Sequence, residues 1–127
     1  MVTARIIPNK YKYWEFIKEL RFSKANINGF IGQTPSGNQK EYMQEYGDFY
    51  FICMLGNTPV GYFSVIKNDI SFCVDGSYHG KGLGTFMLNN IKDMFPRATG
   101  QIKESNIASQ KAFDRAGIEY RIIPDDV

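Results

Sequence analysis

Histidine is the scarcest reactive residue in this 127-residue chain, which has only His79. One imidazole excludes every His-rich metal site and leaves a Ser-His-Asp type of triad a single possible base. Cysteine is nearly as rare. Cys53 and Cys73 stand far apart inside apolar runs, a spacing that suits neither zinc nor CxxC redox chemistry. Both are expected as reduced, buried thiols. The net charge is only +2, from fifteen basic and thirteen acidic residues, which offers no basic face for nucleic acid. No apolar run approaches the roughly 20 residues that span a bilayer. The opening residues MVTARIIPNK also lack the basic and apolar regions of a secretory leader. The expectation is a cytoplasmic protein with no membrane partner, no nucleic-acid partner and no metal. Internal repeats, low-complexity tracts and linkers are absent as well.

What is present is core material. Apolar residues make up 43% of the chain, with ten phenylalanines, eight tyrosines and one tryptophan. That is enough for one domain spanning residues 1–127 without staples. Thr3 to Ile7 reads as a strand stopped by Pro8, and Tyr13, Trp14, Ile17 and Leu20 then recur at helical spacing. Ser23 to Asn38 is rich in Gly, Asn, Ser and Pro and reads as a working loop. A short helix follows over Gln39 to Tyr46. Strand patterns over Phe49 to Leu55 and Val60 to Ile66 flank the turn Gly56-Asn57-Thr58-Pro59, and a further turn at Asn68-Asp69 leads into Ile70 to Val74. These three strands form an antiparallel meander.

Beyond Lys81, an apolar stripe of Leu83, Met87, Leu88, Ile91, Met94 and Phe95, closed by Pro96, marks the most regular helix. Ala98 to Lys103 then reads as a strand, Asn106 to Ala116 as a helix capped by Gly117, and Ile118 to Ile123 as a last strand. A helix between two strands is a βαβ unit, so 70–74 and 98–103 should be parallel neighbours. The fold class is α/β (α+β), a mixed and mostly antiparallel sheet with helices on both faces.

The segment most informative about chemistry is the loop between Val74 and the apolar helix. Gly80, Gly82 and Gly84 alternate there, so backbone N–H groups at a helix start can approach an anion closely. A flexible turn is the plainer alternative. A nucleoside-triphosphate loop needs GxxxxGK[ST], but Gly80-Lys81 is followed by Gly82. A dinucleotide-binding turn needs GxGxxG in the first βα unit, whereas here GxGxG follows a meander.

The stretch His79-Gly80-Lys81-Gly82-Leu83-Gly84 resembles the acetyl-coenzyme A loop of the GNAT superfamily of N-acetyltransferases, Gln/Arg-x-x-Gly-x-Gly/Ala. Asn106 to Gly117 resembles that family's later helix, and the order of elements along nearly the whole chain agrees. The resemblance implies a bulged strand at Ile70 to Val74 that splays from Ala98 to Lys103, leaving a gap for the pantetheine arm of acetyl-CoA. It assigns the arm and thioester to the backbone of Phe72, Cys73 and Val74, and the pyrophosphate to the amides of His79, Gly80, Lys81, Gly82, Leu83, Gly84 and Thr85. Asn106 and Ser109 would line the arm's other side, although Asn106 equally suits a helix N-cap. His79 and Lys81 are each either phosphate contacts or solvated loop residues. Phe113 stands where many members carry a tyrosine that reprotonates the leaving thiolate.

The same resemblance implies direct transfer of an acetyl group to a small-molecule amine, since nothing activates Cys73 as a nucleophile. Asp69, Ser71 and Glu45 are candidates for the general base by position. The acceptor should lie on Trp14 to Tyr46, where Tyr42, Tyr46, Phe30 and Gln33 are either binding residues or plain core. An amino group on a nucleotide-linked sugar is the expected acceptor. The alternatives are a protein N-terminus, or a non-catalytic acyl-CoA-binding module on the same fold. The last strand, 118–123, would leave an open sheet edge, and a homodimer through it is expected.

Overall fold

The computed structural model describes residues 3–23 and 39–126. Six strands form one sheet in sequence order: β1 (Ala4–Pro8), β2 (Tyr50–Leu55), β3 (Thr58–Ile66), β4 (Asp69–Val74), β5 (Thr99–Lys103) and β6 (Tyr120–Ile123). The first four are antiparallel, whereas β4–β5 and β5–β6 are parallel. The helices are α1 (Trp14–Arg21), α2 (Gln39–Tyr46), α3 (Leu83–Met94) and α4 (Ile107–Ala116).

Strand alternation sorts the core into two layers. Ile52, Met54, Tyr62 and Cys73 face α1 and α2 and pack with Ile17, Leu20 and Met43. Cys53, Phe63, Val65 and Ile70 face α3 and α4 and pack with Met87, Leu88, Ile91 and Phe113. Helices therefore cover both faces. Both thiols are free and buried, one in each layer.

Four expectations need correction. Thr58 and Pro59 belong to β3, so the first turn is shorter and Gly56 carries it with φ 58°. Proline is tolerated there because the β2–β3 register shifts between Cys53 and Met54, next to the Met54↔Pro59 pair. The next turn falls on Lys67 and Asn68, with φ 53° and 64°, and Asp69 is already strand. The bulge expected in β4 is not there, because pairing with β3 runs unbroken from Gly61↔Val74 to Ile66↔Asp69. Met94 likewise leaves the apolar stripe and is exposed at the end of α3.

The splay itself is present without that bulge. β4 and β5 pair at only Asp69↔Thr99 and Ile70↔Gly100. Beside the last pair, Phe113 lies on Gly100, where a Cβ would stand 2.4 Å from its Cε2. Its ring centroid is 5.9 Å from that of Phe72 on β4 and 5.6 Å from that of Tyr120 on β6. Glycine is required at 100 because the aromatic ring occupies the place of a side chain. This packed wedge props the strands apart. At the far edge, β6 follows β5 in parallel over Gly100↔Tyr120 to Lys103↔Ile123.

Candidate active site

The parted strands open into a cleft of about 1020 Å³ that borders Phe72, Val74, Gly82, Asn106, Ser109 and Phe113. Which backbone groups face it follows from the ladder. Asp75 N–H donates to Val60 O, so Cys73 and Ser71 also turn their N–H and C=O toward β3, while Phe72 and Val74 turn theirs toward the gap. The backbone of Cys73 is therefore spent within the sheet, a correction to its place among the arm contacts. Its side chain lines the cleft instead, and its Sγ donates to Leu20 O at 3.7 Å.

The loop joins this gap to a helix N-terminus. Gly80 and Gly82 have φ of +78° and +80°, and a Cβ on either would meet nothing. Backbone conformation, rather than crowding, demands glycine there. Gly82 caps α3 without a side-chain bond, so the N–H groups of Leu83, Gly84 and Thr85 have no partner within the helix and border the cleft. The positive end of the macrodipole adds to them. Lys81 lies between the two left-handed glycines, is exposed, and does not line the cleft. His79 lines the cleft, but its Nε2–H donates to Val74 O at 2.8 Å. That bond clips the loop to the end of β4, and only Nδ1 is left to meet a phosphate.

Asn106 is the helix N-cap. Its Oδ1 caps α4 by accepting from Ser109 N–H at 3.3 Å, and both residues border the cleft. Phe113 is 2% exposed and belongs to the floor. These groups fit acetyl-CoA: an edge of strand for an amide-bearing arm, and a ring of N–H donors for a pyrophosphate.

On the α1–α2 side the cleft borders Arg21, Tyr42, Tyr50, Ser64, Asp69 and Ser71. Asp69 and Ser71 thus stay at the site, and partial burial raises the Asp69 carboxyl above its ordinary value. Glu45 does not line it. Turning Met43 into the core leaves Glu45 on the solvent side of α2, beside Tyr46. Tyr46 stacks on Tyr42 at 4.9 Å rather than bordering the cleft. Phe30 and Gln33 lie outside the described residues. Arg21, Tyr50 and Ser64 were not singled out by motif. A serine in the apolar run Tyr62-Phe63-Ser64-Val65 was the signal that marked this spot.

Burial pushes the Cys53 thiol up to about 11 and the Cys73 thiol up to about 12, from 9.0. Neither is a nucleophile at neutral pH. Because the folded values are raised, their contribution to stability is present in full below 9.0. It is lost as pH rises toward about 11 and 12, since only the unfolded thiols ionise in that window. Urea midpoints should therefore fall above pH 9, and replacing Cys73 by Ala should flatten that decline.

The family model of the Acetyltransferase (GNAT) family matches residues 14–118. No curated protein is matched by sequence. Among solved structures, a domain from Methanocaldococcus jannaschii superposes with TM-score 0.78 at 18% identity, over 92% of this chain and 88% of that one. AAC(6')-Ib in complex with paromomycin and acetyl-CoA gives TM-score 0.65 at 19% identity, over 91% and 81%. The ribosomal-protein-S18-alanine N-acetyltransferase of Escherichia coli gives 0.65 at 14%, over 91% and 77%. With the parted strands, the glycine loop and the capped α4 in place, the chain belongs to the GNAT family of acetyl-CoA-dependent N-acetyltransferases.

Proposed function

We propose that this chain moves an acetyl group from acetyl-CoA to a primary amine by direct attack within a ternary complex. The observation that carries this reading is the early parting of β4 and β5 beside the uncapped start of α3. The Phe72 backbone would hold the arm together with Val74 N–H, the Val74 carbonyl being held by His79, and the N–H groups of Leu83 to Thr85 would hold the pyrophosphate. An N–H aimed at the thioester oxygen stabilises the charge that develops there during attack, and Phe72 N–H, which faces the gap, would supply it. The amine would enter from the side of Arg21, Tyr42 and Asp69.

For the acceptor we infer an amino group on a nucleotide-linked sugar. Support comes from Arg21 on the cleft wall, a guanidinium suited to phosphate oxygens, and from the tyrosine rings beside it. A protein N-terminus is the second acceptor reading. Phe113 favours a different alternative, a non-catalytic acyl-CoA module, because it has no hydroxyl to protonate the leaving thiolate. A thiol pKa near ~8.5 makes that thiolate a fair leaving group without strong acid help, so catalysis remains our reading.

Acetyl-CoA should raise the melting temperature. Free thiol should appear when UDP-glucosamine, glucosamine, spermidine or a peptide with N-terminal alanine is added, fastest with the first. Stabilisation without thiol release from any of the four would favour the binding module, and no stabilisation would exclude both.

A further inference from the structure

The helix α1–α2 side of the sheet carries one polar side chain that packing alone does not call for. Ser64 is 2% exposed and, tyrosines and cysteines aside, is the only buried polar residue among the described residues. A buried hydroxyl without a partner is costly. It is not unpartnered. Ser64 stands directly across from Tyr50 in the β2–β3 ladder, and the two hydroxyl side chains interact there. The Tyr50 hydroxyl in turn lies 3.0 Å from that of Tyr42, which is 36% exposed on α2. All three residues border the cleft. On the other side of Ser64, its partner in the β3–β4 ladder is Ser71, the neighbour of Phe72.

We infer that Ser64, Tyr50 and Tyr42 form a hydroxyl relay that carries the proton of the attacking amine from the cleft to solvent. This rests on the acetyltransferase reading above. An amine that is protonated at neutral pH must shed a proton to attack a thioester. In the relay the amine gives its proton to Ser64 Oγ, and Ser64 passes its own proton to Tyr50 Oη. Tyr50 passes its proton to Tyr42 Oη, and Tyr42 releases one to water. Each hydroxyl ends neutral, one proton leaves, and the nitrogen lone pair is free to form the C–N bond as the C–S bond breaks. Burial holds the Tyr50 hydroxyl well above its ordinary value, so it works by passing protons and not by standing ionised. The charged and titratable groups facing it are Tyr42 from α2, Arg21 from α1 and Tyr62 from β3, the last with its ring centroid 5.8 Å away.

The test is the pH profile of acetyl transfer from acetyl-CoA to the amine turned over fastest in the panel above, for the unaltered chain and for Tyr50→Phe, Ser64→Ala and Tyr42→Phe. Tyr50→Phe keeps the ring and removes only the hydroxyl. The expected result at pH 7 is a loss in kcat of about 10- to 100-fold, with the KM for acetyl-CoA unchanged. That loss should shrink as pH rises above the pKa of the acceptor amine, where no proton needs removing. Tyr42→Phe, at the exposed end, should show a smaller loss of the same shape, and it keeps the test open if a buried variant fails to fold. A loss that is equal at every pH, a change confined to KM, or no loss overturns the relay alone. Sensitivity moving instead to Asp69→Asn, with Tyr50→Phe unaffected, does the same and makes the carboxylate the base. No thiol release by the unaltered chain overturns the acetyltransferase reading and the relay together.

Discussion

Replacing Phe113 by alanine should destabilise the protein by about 3–5 kcal/mol, the range for emptying a buried aromatic site. For a domain of this size that is a fall of about 10 to 20 °C in melting temperature. The ring is 2% exposed, rests on Gly100 and touches Phe72 and Tyr120, so three strands lose a common contact at once. The effect should extend beyond stability. With the wedge gone, β4 and β5 have no prop at the point where they part, and acetyl-CoA affinity should fall with the melting temperature. Gly100→Ala approaches the same contact from the other side, placing a methyl group 2.4 Å from Phe113 Cε2. Overpacking of that kind costs about 1–3 kcal/mol. Because the two changes share one volume, they should not add. Gly100→Ala combined with Phe113→Leu should be more stable than the sum of the single losses, and urea unfolding of the four proteins measures the coupling. Strict additivity would mean that the ring and the glycine do not depend on one another.

Gly82→Ala should weaken acetyl-CoA binding by about 5- to 30-fold while leaving a folded protein. Nothing lies within 4 Å of the new methyl group, but φ is +80°, and an L-residue there costs about 1–2 kcal/mol. The loop can relieve that strain by rotating, which moves the N–H groups of Leu83, Gly84 and Thr85 off their common focus. The strain converts to the stated loss of affinity at about 1.4 kcal/mol per tenfold. Lys81→Ala is the matched control, since the lysine is exposed and away from the cleft, and its effect should stay below about threefold at physiological salt. Titration calorimetry separates the two. A large loss with Lys81→Ala and none with Gly82→Ala would mean that side-chain charge, and not backbone geometry, holds the pyrophosphate.

The parts of the site that were legible in the chain are those whose signal is local. The glycine spacing at 80, 82 and 84, the apolar stripe from Leu83 to Ile91, and Asn106 four residues before Gln110 each encode their own turn or helix. Their reading survives because turn chemistry and helical period act over a few residues. The misreadings lie where orientation depends on distant partners. Lys81 falls inside the loop motif between two left-handed glycines and yet does not line the cleft. Glu45 sits near the right place in sequence and yet faces solvent, because Met43 claims the inner side of α2. The bulge in β4 was replaced by a wedge delivered from α4.

By itself the sequence determined the order of elements, the parallel unit between residues 70 and 103, and the glycine loop at the start of α3, since each follows from a short-range period or from glycine. The tertiary structure alone decided how early β4 and β5 part, which backbone groups face the gap, and that Ser64, Tyr50 and Tyr42 come together beside the cleft. Those three come from β3, β2 and α2. Only strand register and the docking angle of a helix bring them together, and both are set by burial of apolar surface across the whole sheet.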